Sequence, residues 1–461
     1  MNPQSTKRRS PGEAPLVTGA TTSPEREGAP AREAPFAPGA TAVVVGAGLS
    51  GFAAARLLAA RGARVRLLER DANPGQEVLE RAREAGFELL PGEHTPEQFR
   101  GAALIVVSPG VPPAALDSLR AAAGNPPLIG ETELALRCVR EPVLAVTGTS
   151  GKTTTVSLAA AMLREAGKKV FLGGNIGVPL SEYALSGDTA DVLVLELSSF
   201  QLQCMFSLRP RAAVLLNLTA NHLDRHADMA EYSAAKFSIF AGQEKDDLAV
   251  VHEDTAEEYR RRGFKGRLKI FRAAGRFPMG RLAGAHNAAN AEAAYLAAAE
   301  FGVSEADAAR AAAAFAPLPH RLEKVGELDG VSYVNDSKST TVDALRAALL
   351  SFDAPLLLLA GGRFKGGDLE SLRPLLSAKV KAVALFGASR EYFEKAWSET
   401  VPLTWDPELP AALQRLRAAA RTGDVVLLSP ATASYDLYGS YKERGDHLRS
   451  LVAAAAGEEA Q

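Results

Sequence analysis

The segment Glu141–Met162, EPVLAVTGTSGKTTTVSLAAAM, restricts the possible folds more than any other part of the chain. Val143–Val146 is an apolar run of the buried-strand type. Gly148, Ser150 and Gly151 make a tight turn, and Lys152, Thr153, Thr154 and Thr155 open an apolar helix. A strand–turn–helix of this composition cradles polyphosphate. Small residues let backbone N–H groups converge, and the helix N-terminus adds partial positive charge. The lysine reaches the outer phosphates, and a Thr hydroxyl can sit on Mg²⁺. The general pattern wants Gly where Val146 stands, so the loop is the shorter form Thr147–Thr154. The plainer alternative is an ordinary Gly-turn between strand and helix, and the Lys-Thr pair at the helix start argues against it.

A chain of 461 residues has room for about three domains, each large enough to bury a core. Its 47% hydrophobic and 23% charged content is that of a soluble globular protein. The net charge of -2, from 52 basic and 54 acidic residues, gives no support for nucleic acid or an anionic membrane as partner. Cys138 and Cys204 stand far apart, so neither a disulfide framework nor a zinc cluster follows, and a reducing cytoplasm is the expected compartment. Met1–Gly39 is rich in Pro, Gly, Ala and Ser and lacks a hydrophobic period. It reads as a disordered tail; Lys7-Arg8-Arg9 is not followed by the apolar stretch of a signal peptide.

Beyond the tail, apolar strands alternate with helices in three blocks. The first holds TAVVV, ARVRLLER and AALIVVSP. The second holds the phosphate loop, VLVLELSS and AAVLLNLT. The third holds VSYVNDS, PLLLLAGG, VKAVALFG and DVVLLSP. The expected fold is α/β: three consecutive, mainly parallel, helix-covered sheets, Rossmann-like at each end with a P-loop ATPase between them. The expected divisions are a tail over 1–39 and domains over 40–140, 141–318 and 319–461. Ligands in such sheets bind beyond the carboxyl ends of the strands.

Gly46-Ala47-Gly48-Leu49-Ser50-Gly51 matches GxGxxG, and Glu69 ends the next strand as a ribose-binding acid would. Alone, this predicts a nicotinamide or flavin enzyme. A hydride-transfer enzyme has no use for a second, ATP-type phosphate loop, and Gly-rich turns bind any diphosphate, including that of a UDP-sugar. Glu196, at the tip of an apolar strand beside the phosphate loop, suits Mg²⁺, which demands oxygen donors. NLTANHLDRH (Asn217–His226) packs two His and an Asp into a short loop. A lone loop His is ordinarily a surface residue, and by spacing alone Lys236 in EYSAAKFSIF is an ordinary solvated lysine. His286, Asn287 and Asn290 begin a helix, with His286 and Asn290 one turn apart.

TGTSGKTTT, GGNIG, ELSSFQL, NLTANHLDRH, YSAAK, HNAAN, PHRLE, NDSKSTT, AGGRFKGG and SPATASYD occur in one chain in that order. From about Ala40 onward the chain thereby resembles the Mur ligases, relatives of folylpolyglutamate synthetase. The final segment and the GAGLSG start are most like the members that add D-glutamate. The resemblance implies nucleotide-sugar-binding, ATPase and amino-acid-binding domains in that order. It implies a monomer in peptidoglycan precursor synthesis whose substrates are ATP, UDP-N-acetylmuramoyl-L-alanine and D-glutamate. It implies two Mg²⁺ ions held by Thr153, Glu196, His222 and Lys236, the lysine carbamylated by CO₂. His222 rests on the resemblance alone, because imidazole is an unusual Mg²⁺ ligand.

By the same resemblance, ATP meets Gly148, Thr149, Ser150, Gly151, Lys152, Thr153, Thr154, Asn287, Asn290, Arg321 and Asp336. The UDP-substrate meets Leu49, Ser50, Glu69, Arg70, Ser108, Gly110, Asn175 and Gly177. D-Glutamate meets Thr340, Lys365, Ser434 and Tyr441. Lys152, His222, Lys236, Lys338 and Lys365 are the implied catalytic residues. The chain departs from the family at Ser339-Thr340-Thr341, where Ala-Thr-Asn is usual, at Thr432, often Cys, and at Tyr435, often Leu or Phe. These departures bear on D-glutamate and leave the ATP residues unaltered. Competing readings are another Mur ligase or a folylpolyglutamate synthetase-like enzyme, a nicotinamide-binding oxidoreductase or sensor, and a non-catalytic regulator.

Overall fold

The computed structural model describes residues 37–219, 225–278, 285–315, 319–352 and 354–459. The tail expected over 1–39 therefore falls, up to residue 36, outside the described residues, as do His222 and Asp224.

The central strands are short apolar runs buried on both faces, the pattern of parallel sheets covered by helices on each side. β1 (Thr41–Val45), β2 (Arg64–Glu69), β3 (Glu88–Pro91), β4 (Ala102–Val107) and β5 (Leu128–Gly130) form a parallel sheet in the order β3-β2-β1-β4-β5. The second sheet contains β6 (Val143–Thr147), β7 (Val170–Gly174), β8 (Val192–Glu196), β9 (Ala212–Leu215), β10 (Leu248–His252) and β11 (Arg267–Phe271). It is parallel throughout, in the order β11-β10-β9-β6-β8-β7. The third contains β12 (Glu323–Leu328), β13 (Val331–Asn335), β14 (Leu356–Gly361), β15 (Val380–Phe386), β16 (Leu403–Asp406) and β17 (Val425–Leu428). Its order is β12-β13-β17-β14-β15-β16, and only β12 runs antiparallel to its neighbour. The α/β architecture read from the sequence is thus observed.

One hydrophobic cluster runs through the first two sheets, joining Phe52, Leu57 and Leu136 to Leu180, Tyr183, Leu195 and Phe237. The joint is reinforced by buried carboxylates. Glu131 accepts from the Ser181 backbone N–H at 2.8 Å, and Glu133 accepts from the N–H groups of Phe206 and Ser207 at 3.0 Å each. Burial pushes the Glu131 carboxyl above its ordinary value, and the Ser181 bonds oppose that. The third sheet has its own clusters on its two faces. Among the described residues no helix is long and apolar enough to cross a membrane.

Candidate active site

The phosphate loop joins β6 to the helix Lys152–Glu165. Gly148 (φ 152°) and Gly151 (φ 82°) occupy left-handed backbone. A Cβ on Gly151 would fall 2.5 Å from Oδ1 of Asn290, so the glycine is needed for the helix Ala285–Ala298 to approach the loop. Asn217, just after β9, braces the turn from the other side. Its Oδ1 accepts from the Ser150 N–H at 2.8 Å, and its Nδ2 donates to the Ser150 carbonyl at 3.2 Å. The Thr149 hydroxyl lies 3.0 Å from the Tyr232 hydroxyl and accepts from the Thr219 N–H at 3.1 Å.

Four basic side chains converge here. The ammonium groups of Lys152 and Lys236 each donate to the Gly148 carbonyl at 2.9 Å. Lys152 also donates to the Thr149 carbonyl at 2.9 Å. From the third sheet, Arg321 Nη2 donates to the Thr153 hydroxyl at 2.6 Å and Lys338 Nζ to the same oxygen at 3.5 Å. Glu196 is the carboxylate among them. Its Oε1 accepts from Asn175 Nδ2 at 2.8 Å, while its buried Oε2 has no hydrogen-bond partner.

Crowding and burial shift the titrations. Desolvation, and then the Lys152 charge, hold Lys236 well below the ordinary lysine value, against a smaller upward pull from Glu196. Desolvation likewise lowers Lys152 and Arg321, again against the attraction of Glu196. Lys338 is lowered to about 8, first by burial and then by Arg321. Asp336, at the end of β13, is raised to about 7 by burial although Ser429 and Leu322 donate to it at 2.9 and 3.3 Å.

Two side chains that spacing alone would leave solvated are buried. Lys236 is 2% exposed, sealed beneath the phosphate loop and 4.7 Å from the Tyr232 ring centroid. His226 is equally buried, its Nε2 2.9 Å from Ser199 Oγ. Local sequence gave no sign of either burial, because covering groups come from segments remote in sequence.

The Gly46–Gly51 turn shows why it is glycine-rich. A Cβ on Gly51 would overlap the Gly46 carbonyl. Glu69 has both oxygens engaged by backbone, Ala47 N–H at 2.9 Å and Asp71 N–H at 3.2 Å, so it stiffens the turn. Ser108 donates to the Gly46 carbonyl at 3.0 Å. Leu49 and Arg70 are exposed, Ser50 is half-buried, and Gly110 follows β4. Asn175 and Gly177 follow β7, with Asn175 reaching Glu196. Asn287 and Asn290 are both buried.

In the third domain, Tyr441 places its ring 5.3 Å from Lys338 Nζ. Thr340 is half-buried, Ser434 is buried and Lys365 is exposed on the loop after β14. Thr341 caps the helix Val342–Leu350, its hydroxyl accepting from the Ala344 N–H at 3.3 Å. Asn serves equally well at such a cap, so that departure keeps the local chemistry. Thr432 donates to the Gly361 carbonyl at 2.6 Å, and Tyr435 is 70% exposed.

The sequence reading missed Arg444. It is fully buried and donates to Ser337 Oγ and to the Ser337, Thr432 and Ala433 carbonyls at 2.9–3.3 Å, fastening together two of the loops that carry the predicted amino-acid contacts. It also missed Tyr232 and the bracing role of Asn217. The one available signal was their position beside motifs already noted.

Residues 146–273 match the family model described as "Mur ligase middle domain". Residues 40–130 match "Mur ligase MurD-like, N-terminal domain", and 320–432 match "Mur ligase, glutamate ligase domain". A UDP-N-acetylmuramoylalanine--D-glutamate ligase of Nitratidesulfovibrio vulgaris is 59% identical over 91% of this chain and 97% of its own length. One of Oleidesulfovibrio alaskensis is 57% identical over 95% and 99%. Among solved structures, MurF of Thermotoga maritima in complex with ADP superimposes with a TM-score of 0.58 at 18% identity, covering 86% of this chain and 98% of that one. MurF of Acinetobacter baumannii gives 0.57 at 17%, covering 91% and 92%. At those identities the likeness is one of fold.

Proposed function

The chain belongs to the Mur ligase family, and from that premise we propose that it is the ATP-dependent amide ligase that joins D-glutamate to UDP-N-acetylmuramoyl-L-alanine in peptidoglycan precursor synthesis. The observation that carries this reading is the convergence of Lys152, Arg321 and Lys338 on one phosphate loop, opposed by Glu196. An excess of buried positive charge is tolerable when the ligand is a polyanion.

In this reading residues 40–140 bind the UDP-substrate, with Ser50, Ser108 and Gly110 at its cradle. Residues 141–318 bind ATP, and 319–461 bind the amino acid through Thr340, Lys365, Ser434 and Tyr441. Lys152 and the loop N–H groups hold the β- and γ-phosphates while Asn287, Asn290 and Asp336 hold the nucleoside. Arg321, which rests on Thr153, is within reach of the γ-phosphate side of the loop. The L-alanyl carboxylate takes the γ-phosphoryl group, giving an acyl phosphate and ADP. The amine of D-glutamate attacks the acyl carbon, and phosphate leaves from the tetrahedral intermediate. Lys338 and Lys365 favour approach of the acidic amino acid.

The donor set fits divalent metal. The bare Oε2 of Glu196 is a buried anionic oxygen in want of a partner, and a carbamate on Lys236 would supply another. Glu196, Thr153, His222 and carbamylated Lys236 would hold Mg²⁺, which when bound neutralises charge on the transferring phosphoryl group. Thr153 would serve once Arg321 and Lys338 turn from its hydroxyl to phosphate. Both nucleotide substrates are cytoplasmic solutes, and the cytoplasm is where we place the enzyme.

The test is ADP and phosphate release with UDP-N-acetylmuramoyl-L-alanine, ATP and a panel of D- and L-amino acids. D-Glutamate is expected to be the amine accepted. Preference for another amino acid moves the enzyme within the family, and no nucleotide-dependent turnover overturns the reading.

A further inference from the structure

A column of stacked side chains runs from the loop after β4, in the first sheet, to the phosphate loop in the second. Arg225 Nη1 donates to the Gly110 carbonyl at 3.3 Å, and its guanidinium lies 4.4 Å from the Phe200 ring centroid. Phe200 stacks on His226 at 5.3 Å with 11° between the planes. His226 meets Tyr232 edge-on at 5.2 Å and 65°. The Tyr232 hydroxyl lies 3.0 Å from that of Thr149, inside the phosphate loop. Ser199 Oγ, 2.9 Å from His226 Nε2, fixes the imidazole in the column.

The upper end is tightly seated. Between Ser108, Pro109 and Val111 on one side and Phe200 and Gln201 on the other there remains a cavity of about 10 Å³. That is at the lower limit of what one water needs, roughly 10–15 Å³. The loop after β4 is thus separated from the first turn of the helix Ser199–Gln203 by room for about one water.

We propose that Arg225, Phe200, His226 and Tyr232 are positioning residues that couple binding of the UDP-substrate to binding of ATP. The inference rests on the reading of Ser108 and Gly110 as part of the UDP-substrate cradle. Close-packed rings have no slack to absorb a displacement. A ligand that settles the Gly110 loop constrains Thr149 through the stack, and a nucleotide that settles the phosphate loop constrains the Gly110 loop in return. Linkage makes the effect reciprocal: each ligand tightens the other by one common factor. A column that merely supports the fold would on truncation weaken both ligands and leave their mutual factor unchanged.

The experiment is calorimetric titration of the full chain with UDP-N-acetylmuramoyl-L-alanine, with and without a saturating non-hydrolysable ATP analogue and Mg²⁺, and the reverse titration. The intact protein should show a common factor of at least about fivefold, the lower end of ordinary allosteric coupling. Phe200→Leu should bring the factor toward one, and Phe200→Tyr should keep it. Arg225→Gln, at a half-buried site that folding can tolerate, should reduce it in the same way and stands in if Phe200→Leu does not fold. Two ligands that bind independently, or a factor unmoved by the truncations, overturn this inference alone. Failure to bind either ligand overturns the functional reading and this inference with it.

Discussion

The ammonium groups of Lys152 and Lys236 share one acceptor, the Gly148 carbonyl, each at 2.9 Å. Burial first, and then the charge of Lys152 beside it, make Lys236 give up its proton readily. The neutral amine is the form that adds CO₂, and its fraction grows as pH rises through the depressed value. Lys236 should therefore carbamylate near neutral pH, where an ordinary lysine stays charged. ¹³C-bicarbonate should give one protein-bound carbamate resonance, absent in Lys236→Ala, and that variant should lose about 10²–10³-fold in turnover, the scale of one preorganised electrostatic contact. No resonance, with undiminished turnover in CO₂-free buffer, would refute the modification.

Asn175 holds one oxygen of Glu196 and so aims the other. Asn175→Ala should raise the Mg²⁺ concentration for half-maximal turnover by about 10–100-fold, the usual effect of losing a group that orients a metal ligand. Glu196→Gln should lower kcat further. An unchanged Mg²⁺ dependence in Glu196→Gln would remove this carboxylate from the metal site.

Lys338 is depressed to about 8, by burial first and then by its cationic neighbours. It is a cation below that pH and neutral above it, so attraction for anionic substrates fades as pH rises. kcat/KM should fall on the alkaline side with an apparent pKa near 8, since that ratio reports the free enzyme. Lys338→Arg keeps its charge throughout and should flatten the limb between about pH 7 and 9. A limb that survives the substitution belongs to another group.

How much of this was legible in the sequence depends on where the deciding contacts lie. PLLLLAGG and VLAVTGTSGKTTT could be read because strand, turn and helix start are local, and β14 and β6 appear there. LTWD is β16, an edge strand too short and mixed for its pattern to speak. RLKIF is β11, another edge, with Arg267, Lys269 and Ile270 exposed. The phosphate loop announced itself, whereas the burial of Lys236 and His226 depends on Gly148 and Ser199, far away along the chain. Arg444 lies in SYKERGDHL, a polar stretch with no local sign of burial. Only assembly of the third sheet encloses it among backbone carbonyls.

Gly445 follows Arg444 in the helix Tyr441–Glu459 and sits against His320. In an exposed helix, Gly→Ala gains about 1 kcal/mol from propensity. Here an added Cβ would overlap His320 Nδ1 and lie 2.9 Å from the Asn335 side chain, so Gly445→Ala should instead cost about 1–3 kcal/mol, the range for overpacking. The damage should reach function as well. His320 (φ 63°) and Leu322 (φ 44°) hold left-handed backbone on either side of Arg321. That conformation is costly for residues with a Cβ and persists only where neighbours enforce it. Displacing His320 frees the backbone that presents Arg321 to the phosphate loop, and KM for ATP should rise as kcat falls. Gly457 provides the control within the same helix, because a Cβ there would have no neighbour within 4 Å. Denaturant unfolding of the two alanine variants should move in opposite directions. If Gly445→Ala stabilises as Gly457→Ala does and leaves ATP kinetics alone, the packing of His320 does not position Arg321.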